Sequence, residues 1–378
     1  MSIKRKIGII GGGIVGSTAA FYLSNDPEVE LLLFDDGKGQ ASSAAAGIIS
    51  PWLSQRRNKE WYFLAREGAK FYSDYMSDLA KYLDTKKIYK KTGTLLYKKT
   101  PKLLDKLEKI AYDRREEAPE IGEIERLSGK DIQKRFPFVS SDEEALFITG
   151  GAKIDGEILV KNIHHLLKEK NQLKQTRVTN LSISDGKWVI TTHEDSVVVD
   201  DVIIAVGAWL PHLLESLNLS VDIRPQKGQL IEIQTDIETT DLPVIMPVGE
   251  SDIIPFYNGK ILVGATHEND EGFDLTPENK LLNQLKETAT QTVGQLADYD
   301  INSYRIGTRA YTSDFLPFFG EVEDLSNLLV ASGLGSSGLT TGPIIGKTMV
   351  DWLYNKKTLF ESYKHQPNHY IQPKMKGE

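Results

Sequence analysis

Gly11, Gly13 and Gly16 fall on the spacing G-x-G-x-x-G, after an apolar run at 6–10 and before a helical pattern at 14–24. Glycine suits each position for its own reason. The first allows a tight turn, the second lets a pyrophosphate approach the backbone, and the third lets helix and strand pack closely. Ile14 and Val15 then open a helix whose unpaired N–H groups and positive dipole end favour an anion. Asp35 ends the next apolar run, 19 residues after Gly16, where an acid grips ribose hydroxyls. Asp36 beside it is a secondary candidate. The chemistry this order points to is dinucleotide binding.

A second G-x-G-x-x-G is made by Gly333, Leu334, Gly335, Ser336, Ser337 and Gly338, again between an apolar run and a helical pattern. Only 40 residues follow it, without a clear further strand ending in an acid, so a second dinucleotide site is not expected. A flavin ring fits better. Its N1–C2=O edge becomes anionic on reduction, and a helix N-terminus stabilises that charge. A plain tight turn is the alternative. The loop 41–47, with Ser42, Ser43 and a run of alanines, leaves room for an extended ribityl–pyrophosphate chain, and its serines can donate hydrogen bonds. The combination predicts FAD, and the chain has no cysteine for a cysteinyl link, so the FAD is expected to be non-covalent.

The elements that must position these residues read as α/β. The run VELLLF at 29–34 suits a strand buried on both faces of a parallel sheet. A helical stripe runs from 60 to 83, strands are expected within 88–100, and polar-faced helices at 101–115 and 128–135, the latter capped by Ser128. A second α/β stretch has a helix at 156–170 and strands at 186–193, 196–204, 229–235, 253–257 and 260–263, with an Asn258-Gly259 hairpin turn. Thr276 and Pro277 are expected to start a helix running to about 296, and Pro343 one running to 355. No linker separates the halves. The expected domains are therefore discontinuous: 1–85, 150–220 and 320–378 for the cofactor, 86–149 and 221–319 for the substrate.

Composition narrows the function. A net charge of −8 argues against nucleic acid and anionic membranes as partners. With no cysteine, a disulfide framework, a thiolate metal site and a cysteine nucleophile are excluded. The seven histidines lack ligand spacing, and the adjacent His164 and His165 point different ways on a helix, so no metal site is expected. The first residues lack a signal-peptide pattern, and no stretch reaches membrane-spanning length, so a cytoplasmic protein is expected. Homo-oligomer formation is left open.

The chain resembles the FAD-dependent D-amino-acid oxidase superfamily, most closely bacterial glycine oxidase and sarcosine-oxidase-type enzymes. The resemblance rests on IIGGGIVGS (9–17), FDDGKGQASSAAAGIISP (34–51), VIIAVGAW (202–209), IRPQKGQLIEI (223–233), GKILVGATHE (259–268), IGTRAYTSDFLPFFG (306–320) and VASGLGSSGLTTGP (330–343), in that order. It implies a doubly wound, Rossmann-like FAD domain and a second, mostly antiparallel-sheet substrate domain. It further implies that Val178 contacts the adenine side, that Gly207 and Trp209 flank the cofactor, and that Ala46, Gly47 and Ile48 lie under the flavin. By the same resemblance Leu334, Gly335, Ser336, Ser337, Gly338, Leu339 and Thr340 wrap the pyrimidine end, and Arg309 holds the substrate carboxylate. The proline that follows this arginine in relatives is Ala310 here, with Tyr311 next, which bears on the substrate more than on the cofactor.

The implied reaction is oxidation of a small amine or amino acid to an imine by hydride transfer to flavin N5, with oxygen as acceptor. Arginine offers a carboxylate a planar two-pronged donor. Tyr257, beside the Asn-Gly turn, is the candidate for a supporting hydroxyl, a core tyrosine being the alternative. Arg56 and Arg57 stand near the flavin loop, and Lys227 has no assigned role. The motif regions offer no general base, so the amine is expected to bind neutral and catalysis to rest on alignment. The alternatives are a dehydrogenase passing electrons to a quinone or carrier, an enzyme for a hydroxy acid or polyol phosphate, and a nucleotide-binding protein without turnover. Glycine, sarcosine and D-amino acids all remain open as substrates.

Overall fold

The computed structural model describes residues 4–56, 58–249 and 251–374. A six-stranded sheet has the order Phe318–Val322, Leu325–Ser332, Asp201–Ile204, Arg5–Ile10, Val29–Phe34, Leu173–Lys174. Its pairings are parallel except at the Phe318–Val322 edge. Arg5–Ile10 lies between its two neighbours with Ile10 level with both Phe34 and Ile204, so three apolar strands end in line. One face packs Ile7, Ile9, Leu31 and Leu33 beneath the helices Ile14–Leu23, Gly156–Glu169 and Gly338–Leu353. The other face carries Ile10, Phe34, Val202 and Ile204 and is covered by a three-stranded antiparallel sheet spanning 178–199, through Leu181, Trp188 and Ile190. The β-branched run at 196–204 thus splits at Asp200 into Ser196–Val199 of the small sheet and Asp201–Ile204 of the large one.

An eight-stranded sheet has the order Ile301–Tyr311, Arg224–Gln234, Lys260–Gly264, Asp252–Pro255, Val244–Met246, Thr94–Leu96, Ala145–Ile148, Ile124–Leu127. Its one parallel pairing joins Val244–Met246 to Thr94–Leu96. Strand alternation gives the two faces different tasks. Ile231, Ile233, Ile245, Ile253, Ile261 and Val263 bury themselves against Leu282, Leu285 and Ala289 of the helix Asn279–Thr292. Leu230, Ile254, Phe256 and Leu262 face the other way, onto Ala46 and Ile48 of the loop between the sheets.

Ion pairs lock the two sheets together. Asp155, at the N-terminus of the helix Gly156–Glu169, meets Lys260 Nζ at 2.5 Å and Arg305 Nη1 at 3.1 Å. Arg305 also reaches Glu232 at 3.3 Å, Glu157 at 2.9 Å and the Ser43 carbonyl at 3.3 Å.

Two helix starts differ from expectation. Thr276 hydrogen-bonds Asp274 instead of capping a helix, and the helix begins at Asn279. Lys227 holds Asp274 at 3.2 Å, and the Glu278 N–H donates to Gln229 Oε1 at 2.9 Å, so side chains of the sheet keep this segment as a loop. The last long helix starts at Gly338, with Pro343 inside it. Among the described residues no helix is long and apolar enough to cross a membrane.

Candidate functional site

The first glycine turn is shaped by its backbone. Gly11 has φ +98°, and a Cβ there would stand 2.5 Å from the Ala205 carbonyl oxygen. A Cβ on Gly16 would stand 1.9 Å from the Gly11 carbonyl oxygen, so the third glycine is required by closeness to the first. The Ile14 N–H, in the first turn of the helix, donates to Ser42 Oγ at 2.9 Å, which ties the small-residue loop to the helix N-terminus. Asp35 accepts from the Gly12 N–H at 2.5 Å, the Gly37 N–H at 2.7 Å and Gln40 Nε2 at 2.7 Å. These bonds hold its carboxylate beside the turn. Asp36 instead pairs with Arg177 at 2.7 Å.

His164 supports the same turn from beneath. Its Nε2 lies 3.0 Å from the Gly12 carbonyl and 3.1 Å from Ser17 Oγ. Burial holds its pKa below the ordinary histidine value although Asp35 pulls the other way, which keeps the ring neutral. His165 points away and meets Glu169 at 3.4 Å. The motif treats position 12 as free, yet a Cβ on Gly12 would come within 2.6 Å of the His164 ring.

The second glycine turn carries φ +76° at Gly333 and +53° at Gly335. A Cβ on Gly335 would strike the Tyr311 ring at 2.1 Å, and the Tyr311 hydroxyl accepts from the Ser336 N–H at 3.1 Å. The helix that follows packs directly on the helix of the first turn. Gly342 would place a Cβ 2.5 Å from Ile14, and Gly346 one 2.6 Å from the Val15 carbonyl. Two glycines one helical turn apart therefore bring the two helices into backbone contact, and both N-termini open on one space.

That space is a cavity of about 1040 Å³ lying between the two sheets. Gly11, Gly13, Ile14, Val15, Asp35 and Asp36 line it from the first turn. Ser42, Ala46, Gly47 and Ile48 line it from the loop, and Val178, Gly207 and Trp209 from the far side of the parallel sheet. Gly333, Leu334, Gly335, Ser336, Gly338, Leu339 and Thr340 complete that half. Three expected cofactor residues stand behind the wall. Gly16 packs on the turn, and Ser43 Oγ donates to Gln40. The Ser337 hydroxyl donates to the Leu334 carbonyl and accepts from Trp61 Nε1.

Arg309 enters the cavity from the eight-stranded sheet. Its Nη1 donates to Gln226 Oε1 at 3.0 Å and to the Thr266 carbonyl at 2.9 Å, which fixes the guanidinium plane. A Cβ on Gly228 would meet that guanidinium at 2.6 Å, so glycine at 228 makes room for it.

Tyr257 requires a correction, because it does not line the cavity. It is half-buried beside Lys90, whose Nζ stands 5.9 Å from the ring. The reason is strand geometry. Asp252 and Ile254 share the face toward the loop, but the strand ends at Pro255 and Tyr257 falls in the hairpin bend beyond it. The cavity is reached from the other end of the same segment, at Asp252. Lys98 and His267 line it as well. Asp252 and Lys98 belong to no recognised motif, and His267 falls in the segment 259–268 without an assigned role. The one available signal was Asp252 itself, a charged residue in phase with buried apolar ones. Lys227 is buried and ion-paired to Asp274 at 3.2 Å, so it anchors the loop that carries His267 and Phe273. Arg56 stacks on Trp61 at 4.7 Å and hydrogen-bonds Ser336 Oγ at 3.3 Å, and Arg57 lies outside the described residues.

The residues fit an FAD. Glycine turns that no side chain could replace, two converging helix N-termini and an acid at the end of the second strand match its anionic and ribose groups. A volume of about 1040 Å³, at the top of the usual ligand range, leaves space for a small second molecule.

Comparison with known proteins agrees with this reading. The model of the FAD dependent oxidoreductase family, DAO, matches residues 6–352. The uncharacterized oxidoreductase YurR of Bacillus subtilis is 35% identical over 362 residues, covering 95% of this chain and 97% of that one. The glycine oxidase of Pseudomonas putida is 26% identical over 97% of this chain and 99% of its own. Among solved structures, iminodiacetate oxidase (IdaA) from Chelativorans sp. BNC1 superposes with a TM-score of 0.89 at 29% identity, covering 95% of this chain and 98% of that one. The chain belongs to the FAD dependent oxidoreductase family, and FAD is its cofactor.

Proposed function

We propose that this FAD-dependent enzyme oxidises a small amine or amino acid, of the glycine, sarcosine or D-amino-acid type, to an imine, with oxygen as the final acceptor. The observation that carries the reading is Arg309, fixed by Gln226 and Thr266 and opening into the cavity that both glycine turns line. The relatives named for oxidation of glycine and of iminodiacetate support it, since both substrates join a carboxylate to an amine.

Bound FAD supplies a two-electron acceptor. The protein supplies placement. Arg309 takes the substrate carboxylate in a two-pronged charge-assisted contact and sets the orientation of the adjoining carbon. The small side chains of Ala44, Ala45 and Ala46, with Gly307, keep the wall shallow around the reacting carbon. The helix N-termini at Ile14 and Gly338 place partial positive charge where negative charge must be held. The substrate's α-C–H bond breaks with its electron pair leaving as hydride, and the nitrogen lone pair becomes the C=N bond. Released imine is hydrolysed by water. Alignment of this kind accounts for several kcal/mol of barrier, about 7 or more in favourable cases.

The test is oxygen uptake and peroxide formation by the purified holoenzyme with glycine, sarcosine and D-alanine. Uptake with one of them supports the reading. Flavin reduction by an amino acid without oxygen uptake would instead indicate a dehydrogenase with a quinone or carrier acceptor.

A further inference from the structure

Asp252 opens a strand that is otherwise apolar, DIIP, and its side chain lies in the cavity wall with Arg309, Lys98 and His267. It makes no side-chain hydrogen bond or ion pair with any described residue, and Lys98 acts on it only at longer range. A carboxylate kept in a cavity without a partner among the described residues invites a cationic ligand group. Register locates it relative to the arginine. Asp252 pairs with Gly264, and Thr266, whose carbonyl holds the Arg309 guanidinium, is two residues further along that chain. Asp252 and the guanidinium held at the Thr266 carbonyl therefore stand on adjoining stretches of chain and line the same cavity. A zwitterion with its carboxylate on the arginine and its nitrogen on the aspartate would make a charge-assisted contact at each end.

We propose that Asp252 binds the substrate's ammonium group while Arg309 holds its carboxylate, and that Asp252 accepts one of the ammonium protons. This rests on the amine or amino acid reading above and deepens it. An N–H bond of the ammonium breaks, an O–H bond forms on the Asp252 carboxylate, and the electron pair stays on nitrogen. The amine then enters oxidation with the lone pair that the new C=N bond needs. Burial pushes the Asp252 carboxyl up to about 7, with Lys98 pulling it back, so it is matched to this proton near neutrality. Among the described residues, the charged and titratable groups in this part of the wall are Lys98 and Tyr97 from the end of Thr94–Leu96 two strands away, His267 from the loop after Gly264, and Arg309.

The test uses the holoenzyme, with glycine, sarcosine and D-alanine as substrates and acetate as a probe that has the carboxylate but no ammonium. Asp252→Asn and Asp252→Ser should raise KM for the accepted amino acid roughly 10- to 100-fold. Acetate affinity, read from the flavin spectrum without turnover, should stay within about twofold. In the wild type, kcat/KM should fall below about pH 7, a limb set by the protein and more acidic than the amine's own ionisation, and the variants should lose that limb. Unchanged KM in a folded variant overturns the assignment. So does a wild-type profile that follows only the amine's ionisation, a result that needs no variant. If none of the three amino acids reduces the wild-type flavin, the substrate reading itself fails, and the assignment to Asp252 with it.

Discussion

The Tyr72 hydroxyl donates to the carbonyl oxygen of Leu339, the acceptor that a helical N–H at position 343 would have taken. Position 343 is proline, which has no N–H to give. The helix behind the second glycine turn is therefore completed by a side chain from the helix Lys59–Leu79. The same pair of helices touch at Gly68, where a Cβ would stand 2.3 Å from the Thr340 carbonyl. This contact holds the cavity-facing end of the last helix in place.

Tyr72→Phe should lower stability by about 1–2 kcal/mol, because it leaves a buried carbonyl unsatisfied. Pro343→Ala restores the missing N–H. Thermal denaturation of the single and double variants should show the Tyr72→Phe loss shrinking in the Pro343→Ala background. Equal losses in both backgrounds would contradict the pairing.

Arg309→Ala should raise KM for the amino acid at least 100-fold, equivalent to about 3 kcal/mol of lost charge-assisted contact, while FAD content stays unchanged. Steady-state kinetics together with the flavin absorbance of the purified variant check both halves. An unchanged KM would remove Arg309 from the substrate site.

Asp155 gives a prediction with a sign. Burial pushes its carboxyl up, but Arg305 and Lys260 more than reverse this and hold it below the ordinary carboxylate range. A lowered folded value means that the stabilisation is complete at neutral pH and is lost as pH falls through that value. Asp155→Asn keeps a side chain able to cap its helix and removes only the charge. It should cost about 3–5 kcal/mol at neutral pH, because Arg305 and Lys260 lose their buried partner. The gap to wild type should narrow on acidification, as read by denaturation at several pH values.

Asp252 has the opposite sign. Its folded carboxyl is pushed up to about 7, so the folded chain holds the proton more tightly than the unfolded one. Stability is therefore lost as pH rises from the ordinary carboxyl range through about 7. Asp252→Asn should raise the thermal midpoint relative to wild type at about pH 8, and the gain should be much smaller near pH 5 and vanish below the ordinary carboxyl range. A gain of the same size at both values would mean that the substitution acts through packing alone.

These contrasts show what the sequence could reveal. The glycine turns were legible because backbone crowding at Gly11, Gly16 and Gly335 admits no other residue, a constraint written locally as spacing. Asp35 was legible because it ends a short strand one turn and one helix later. Asp252 was not, because its meaning depends on register across several strands. The sequence pointed instead to Tyr257, five positions on, where the strand has already ended in the hairpin bend. Asp155 and Arg305 lie 150 residues apart, and no local pattern pairs them. The start of the Asn279–Thr292 helix was misplaced because Lys227 and Gln229, remote in sequence, hold the preceding loop.

The proposed function requires that an amino acid bound through Arg309 deliver electrons to FAD in this cavity. The most direct measurement is the visible spectrum of the purified protein under anaerobic conditions, before and after adding pools of small amino acids and N-methyl amino acids. The flavin spectrum of the wild type should bleach with one pool, and that pool should leave Arg309→Ala unbleached. A flavin spectrum that no pool bleaches would contradict the proposed function.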